Sequence, residues 1–204
     1  LGEAYRRGDL VPADISQALA HFEAAARAGN AAARKRLGDL HAAGEGVPVD
    51  AAAARRWYDM AAATGDTAVM IEVAMAYLRG PPSVQDPPRG LDMLRAAAAR
   101  GSSAAENELG NVHARGLGVA PDPAEALRWY RLAAEHGEPW AKYSLGQLHL
   151  AGNGVPQDRQ RALALFREAA AAGLAAAMTA IGDIYAMGEG VPQDTTEAAR
   201  WYAA

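Results

Sequence analysis

The sequence contains no cysteine, which excludes disulfide bonds and thiolate metal sites. The sequence has fewer basic than acidic residues: 20 Lys and Arg and 24 Asp and Glu give a formal net charge of −4. That balance lacks the basic surface that nucleic-acid binding needs, so we expect no nucleic-acid partner. No apolar stretch is long enough to cross a bilayer, so we expect no membrane insertion. Half of the residues are nevertheless hydrophobic, and many of these are alanines, which favour helices.

The chain repeats with a period of 36 residues. Short glycine-containing segments such as "GEGVPQD" end in an aspartate once in every period, at Asp14, Asp50, Asp86, Asp122, Asp158 and Asp194. A Leu-Gly-like pair, a bulky Trp-Tyr-like pair and a closing glycine recur in the same register. Several columns at one period predict a single array of units rather than separate domains. The units are 1–29 (partial), 30–65, 66–101, 102–137, 138–173 and 174–204 (partial). Leu1 already lies inside a unit, so we expect the native chain to begin upstream.

Each unit is predicted to be a pair of helices. In 30–65, apolar residues at helical spacing predict a first helix that Gly44 ends, and Gly38 allows a neighbouring helix to approach. Val47 is expected to fill the turn, and Asp50 to be the N-cap of the second helix. In two other units a glutamate follows the aspartate by three residues, which predicts capping boxes at Asp122–Glu125 and Asp194–Glu197.

The Gly-x-Gly of this corner is also compatible with a phosphate-binding loop. Such a loop follows a strand and offers free helix amides to the phosphate. Here a helix precedes the corner and an aspartate occupies the start of the next helix. The corner is therefore interpreted as a turn between helices, and we expect no cofactor.

These columns resemble the Sel1-like repeat family across essentially the whole chain. In 30–65 the matching residues are Ala33, Leu37-Gly38, His41, Gly44-x-Gly46-Val47, Asp50, Ala54, Trp57-Tyr58, Ala61-Ala62 and Gly65. Tetratricopeptide repeats are the near alternative, but their period is about 34 residues. The resemblance implies an all-α, right-handed α/α superhelix, or solenoid, of 36-residue helix-turn-helix repeats.

The resemblance also implies a function. Proteins of this family look like non-enzymatic adaptors that hold a protein or peptide, and the arginine- and alanine-rich composition looks bacterial. Cys-rich bacterial relatives are associated with β-lactam binding or hydrolysis, an alternative that the absence of cysteine disfavours here. An architectural role through end-to-end stacking is a further alternative. Periplasm and cytoplasm are both compatible with the sequence, and the oligomeric state stays open.

Analogy with tetratricopeptide packing predicts that the first helices line a concave groove. Two units carry large apolar residues at groove positions where the sister units are small or polar, and aromatic residues are common binding anchors. The predicted partner-binding residues are Trp140, Tyr143, Gln147, Leu150, Asn107, Asn111, Arg115, Ile71, Met75 and Leu78. Two alternatives stay open: Trp140 packs on the preceding unit, and the apolar residues of 66–101 are compensatory core.

Catalytic and metal sites are not predicted. His41, His113 and His149 share one column with tyrosines, but stacked helices hold equivalent residues roughly 10 Å apart, too far to share one ion. No Ser-His-Asp or His-Glu-x-x-His arrangement is present. The proline-rich segment 79–90 is predicted to be a stiff loop rather than an extended ligand.

Overall fold

The structure, a computed structural model, describes residues 2–7 and 14–204, and this part of the chain is all-α. The helices are α1 Gly2–Arg7, α2 Ile15–Arg27, α3 Ala31–Ala43, α4 Ala51–Ala62, α5 Thr67–Arg79, α6 Pro87–Ala98, α7 Ser103–Arg115, α8 Pro123–Glu135, α9 Pro139–Ala151, α10 Arg159–Ala171, α11 Ala175–Met187 and α12 Thr195–Tyr202. They follow one another as pairs, two helices to each 36-residue repeat, which confirms the predicted fold class. The chain forms two compact units, Leu1–Ala105 and Glu106–Ala204.

The repeated corner ends one helix and begins the next. Gly44 and Gly46 have φ angles of 76° and 74°, a left-handed conformation that glycine adopts without a steric penalty. The Asp50 carboxylate then accepts a hydrogen bond from the Ala53 amide at 2.8 Å, as an N-cap should. Every predicted cap aspartate accepts from an amide in the first turn of its helix. The interpretation of the corner as a turn is therefore confirmed, although residues 8–13 of the first corner lie outside the described part of the chain.

The capping boxes are only half formed. A capping-box glutamate should accept from the backbone amide of the cap residue. The Asp122 amide instead donates to the carbonyl oxygen of His113 at 2.9 Å, and the Glu125 carboxylate pairs with Arg128. The Asp194 amide likewise donates to the carbonyl oxygen of Tyr185. The glutamate half of this prediction was wrong because the helix that precedes the corner already uses the amide.

The glycine of the Leu-Gly column lets the two helices of a repeat touch. A β-carbon at Gly38 would overlap the edge of the Tyr58 ring and come within 3.2 Å of the Ala54 carbonyl oxygen. Tyr58 is only 1% exposed, so its ring is held by the side chains packed around it. The same overlap would occur between Gly110 and Tyr130 and between Gly146 and Phe166. The predicted close approach is confirmed.

The repeat at 66–101 reverses this arrangement. Ala74 stands where the sister repeats have glycine, and Gly90 stands on the facing helix where they have alanine. A β-carbon at Gly90 would come within 2.8 Å of Leu78 Cγ and 2.9 Å of the Ala74 carbonyl oxygen. The small residue has moved from the first helix to the second, so the helices still pack closely.

Only residues 80–86 of the proline-rich segment form a turn between α5 and α6, so the loop predicted over 79–90 was too long at both ends. Val84 is fully buried within it, and Pro87 begins α6 directly after the cap residue Asp86. Val47 is half-buried against the core cluster that contains Leu37 and Leu40, which supports its predicted place in the turn.

In residues 2–7 and 14–204, no helix combines the length and apolar character needed to span a membrane.

Candidate binding surfaces

The first unit contains a cleft between its first helices. It consists of two cavities of about 510 and 320 Å³, and both are lined by Lys35 and Glu72. Glu3 of α1 contributes to the larger cavity, and Met75 and Arg79 of α5 to the smaller one. The cleft therefore lies mainly along α1, α3 and α5, the helices that the sequence predicted to line a groove, and α2 closes one end of it with His21, Phe22 and Ala25.

Charged side chains of alternating sign cross this cleft. Arg36 lies 2.6 Å from Glu3 and 3.2 Å from Asp39, while Lys35 lies 3.0 Å from Asp39 and 3.6 Å from Glu72. Such partly exposed pairs each contribute little to stability, but as a network they hold donors and acceptors in fixed positions. This arrangement suits hydrogen bonding to a peptide backbone or to polar side chains.

Asp39 also fixes the cleft to the core of its repeat. Its Oδ1 atom accepts a hydrogen bond from the Tyr58 hydroxyl group at 3.0 Å. Burial and the nearby Asp39 charge raise the pKa of Tyr58 above its ordinary value, because both disfavour the phenolate. The hydroxyl group therefore remains a proton donor to Asp39 at neutral pH.

The three predicted residues of α5 have different environments. Met75 is half-buried and lines the smaller cavity. Ile71 is half-buried against the cluster that contains Met70. Leu78 is only 7% exposed, so its predicted role as a surface contact was wrong. It fills the space that Gly90 leaves on α6, as the compensatory-core alternative expected.

In the second unit, Trp140 is the exposed member of an aromatic pair. Its side chain lies at the start of α9 and is 50% exposed. The Tyr143 ring meets it edge-on at 5.9 Å and packs on the other side against Phe166 at 5.5 Å. Gln147 donates a hydrogen bond to the Tyr143 hydroxyl group at 3.0 Å. The half-buried Tyr143 is thus fixed by the core and supports the exposed indole.

The remaining predicted residues are less available. Leu150 is half-buried against the core cluster that contains Phe166 and Ile181, and Arg115 is exposed. Asn107 is only 6% exposed, so its predicted role as an open polar contact was wrong. The equivalent residue in the first unit is Lys35 of α3, which reaches Glu72 on α5. This repeat position therefore faces the first helix of the following repeat. The Oδ1 atom of Asn107 is buried and has no hydrogen-bond partner among the residues that the structure describes.

Asn111 belongs to a set of pairs that the sequence analysis missed. Its Oδ1 atom accepts from the Tyr130 hydroxyl group at 2.9 Å, as Asp39 does from Tyr58 and Asp183 from Tyr202. The repeat pattern contains this signal. In repeats whose bulky pair ends in tyrosine, the residue directly after the Leu-Gly pair is Asp or Asn. In the repeats where Leu94 and Phe166 take the place of the tyrosine, Met75 and Gln147 take the place of the Asp or Asn.

The histidine column packs against its neighbours in the fold. Within the described part of the chain, the Nδ1 atoms of His41 and His149 are buried without hydrogen-bond partners. The backbone carbonyl oxygens of His41 and His149 accept from the amides of Asp50 and Asp158, respectively. Across residues 2–7 and 14–204, no group of three or more acidic or histidine side chains is placed to hold a metal ion.

Comparisons with known proteins agree with this repeat architecture. A family model described as Sel1 repeat matches residues 1–30, 31–66, 67–102, 103–138, 141–174 and 175–204. A search of curated protein sequences gave no match.

Three solved structures illustrate the relationship. A Sel1 repeat protein from Oxalobacter formigenes is 33% identical, with a TM-score of 0.70 over 91% of this chain and 76% of the other. A protective antigen of uropathogenic Escherichia coli with an SLR fold is 31% identical, with a TM-score of 0.67 over 99% of this chain but only 43% of the antigen. An immunity protein from Pseudomonas aeruginosa shares the fold at 18% identity, with a TM-score of 0.57 over 99% of this chain and 80% of the other. The six matched repeats and the 33% identical relative show that this chain belongs to the Sel1 repeat family.

Proposed function

We propose that this chain is a single Sel1 repeat array that binds a protein or peptide partner on the faces of its first helices, without catalysis. The observation that carries the proposal is the half-exposed Trp140, held by Tyr143 on α9. A large aromatic side chain that the core already holds in place loses little conformational freedom on binding, which is why such residues are frequent binding anchors.

The sister repeats support this interpretation. The column of Trp140 holds alanine in every other repeat in which it occurs, at Ala32, Ala68, Ala104 and Ala176. The fold therefore does not need a large side chain there. An exposed indole at this one position has its natural explanation in a contact with another molecule.

The cleft of the first unit supports binding rather than chemistry. Lys35 is paired with Asp39 and Glu72, so these charged groups hold one another in place instead of leaving a free nucleophile or base. Met75 supplies an apolar contact beside them. An extended peptide could place polar groups over this network and an apolar side chain against Met75.

The test is affinity capture from native cell extract with the wild-type protein and Trp140→Ala, read by mass spectrometry. The matched control is Met60→Ala, which removes another exposed apolar side chain, but from a second helix. We expect a protein that the wild type and Met60→Ala retain and that Trp140→Ala loses. Equal capture by all three variants would exclude the α9 face as the binding surface. No specific capture by any of them would contradict the protein-binding function.

A further inference from the structure

The second unit contains a cavity in which two arginines replace an oppositely charged pair. Arg131 of α8 and Arg161 of α10 line a cavity of about 220 Å³, together with Lys142 of α9. In residues 2–7 and 14–204 neither arginine side chain forms an ion pair or a hydrogen bond. Both arginines are exposed, and together they give this cavity two guanidinium groups without an ion-pair partner among the described residues.

Two other junctions carry opposite charges at these two positions, whereas the first junction has Glu23 and Ala53 there. In the first unit the corresponding residues are Asp59 and Arg89, and they form an ion pair between adjacent repeats. At the next junction within the second unit they are Arg167 and Glu197, which again have opposite charges. The Arg131–Arg161 junction therefore lacks the negative charge that these equivalent positions supply.

The charge of the cavity indicates what would balance it. Lys142 is already paired with Glu168 at 3.0 Å. The carboxylate of Glu135 also lines the cavity, so the two arginines and Glu135 leave one positive charge uncompensated. This excess occurs in a segment, 106–204, that has 12 Asp and Glu against 8 Lys and Arg. A single carboxylate group, held by charge-assisted hydrogen bonds from the guanidinium groups, would neutralise the site.

An apolar surface adjoins this charge. A second cavity of about 330 Å³ on α8 is also lined by Arg131 and Glu135. It adds Trp129 and the exposed Leu132, next to Glu125 and Arg128, which pair with each other. The ligand that fits both cavities is a carboxylate with a large apolar group beside it. We propose that the α8–α10 face binds a peptide segment of a partner protein in which Asp or Glu stands next to a bulky apolar residue.

The probe is the peptide acetyl-Gly-Phe-Glu-Leu-Gly-amide, titrated into the full chain and followed by ¹H–¹⁵N NMR. We expect the Nε–H signals of Arg131 and Arg161 and the indole N–H signal of Trp129 to shift together. The same peptide with Gln in place of Glu should bind at least tenfold more weakly, because it cannot supply the charge. Equal binding of the two peptides, or no binding of either, would overturn the proposal.

Two variants and one ion complete the test. Arg161→Glu restores the opposite charges of the sister junctions, so it should weaken binding of the Glu peptide at least tenfold, and Arg131→Gln should do the same. Arg200→Ala, which removes a paired surface arginine of α12 outside both cavities, should leave the affinity unchanged. An unchanged affinity in Arg161→Glu and Arg131→Gln would refute the site. Inorganic phosphate that binds as tightly as the Glu peptide without shifting Trp129 would assign the site to a free anion and reject the peptide.

Discussion

Replacing Gly38 by alanine tests whether the contact between the two helices of a repeat limits its packing. The added β-carbon would overlap the Tyr58 ring. Tyr58 is only 1% exposed, so its ring cannot turn away without disturbing the side chains packed around it. Overpacking of a core typically costs about 1–3 kcal/mol, and an immobile ring favours the upper part of that range. Alanine regains roughly 1 kcal/mol of helix propensity relative to glycine, so the net loss should be about 1–2 kcal/mol.

The chain provides a matched control for this prediction. A β-carbon at Gly182 would overlap the Tyr202 ring in the same way, and Tyr202 makes the equivalent hydrogen bond to Asp183. Tyr202 is 52% exposed, however, so its ring can move into solvent. Gly182→Ala should therefore be neutral or slightly stabilising. The measurement is the free energy of unfolding from urea denaturation monitored by circular dichroism. Equal free energies for the two variants, or a stabilised Gly38→Ala, would refute the reasoning that the mobility of the facing ring decides the cost.

Three further predictions follow from single contacts. Asp158→Ala removes the cap of α10 and should cost about 1 kcal/mol in urea denaturation, whereas Asp158→Asn should retain most of it. Tyr130→Phe removes the hydrogen bond to Asn111 and should cost about 0.5–1.5 kcal/mol, and an unchanged midpoint would show that the bond contributes nothing. Burial and the nearby Asp59 charge raise the pKa of Tyr77 to about 12. The unfolded-state pKa of tyrosine is near 10, so the stabilisation that comes from keeping Tyr77 protonated is complete below pH 10 and is lost between pH 10 and 12. In urea denaturation across that range, the free energy of unfolding should decline less in Tyr77→Phe than in the wild type.

The corner and the helix pairs were predictable because their causes are local. A glycine that ends a helix and an aspartate that caps the next one depend on a few adjacent residues, as Gly44 and Asp50 illustrate. Because the pattern repeats every 36 residues, the helices and caps assigned in one unit could be assigned at the equivalent positions of the others. The capping boxes failed because the Asp122 amide donates to His113 of the preceding helix, a contact between two elements that no local motif contains.

The candidate binding residues were only partly predictable, since exposure depends on what packs around each position. Alignment to a groove placed Leu78 and Trp140 in similar roles. Packing separated them, because Gly90 leaves a space that Leu78 fills, whereas Trp140 projects half-exposed beyond Tyr143. A buried and an exposed side chain can both occupy such a position of a helix, and the packing of the neighbouring helix decides which of the two is buried.

The sequence by itself determined the repeat period, the helix pairs, their caps and the Sel1-like character of the chain, because these depend on short-range conformational preferences repeated in register. Only the tertiary structure decided which charged groups pair and which are left without a partner. Arg131 and Arg161 are 30 residues apart, and the packing of adjacent repeats brings both to one cavity. Electrostatic interactions depend on distance in space, which a single sequence does not record.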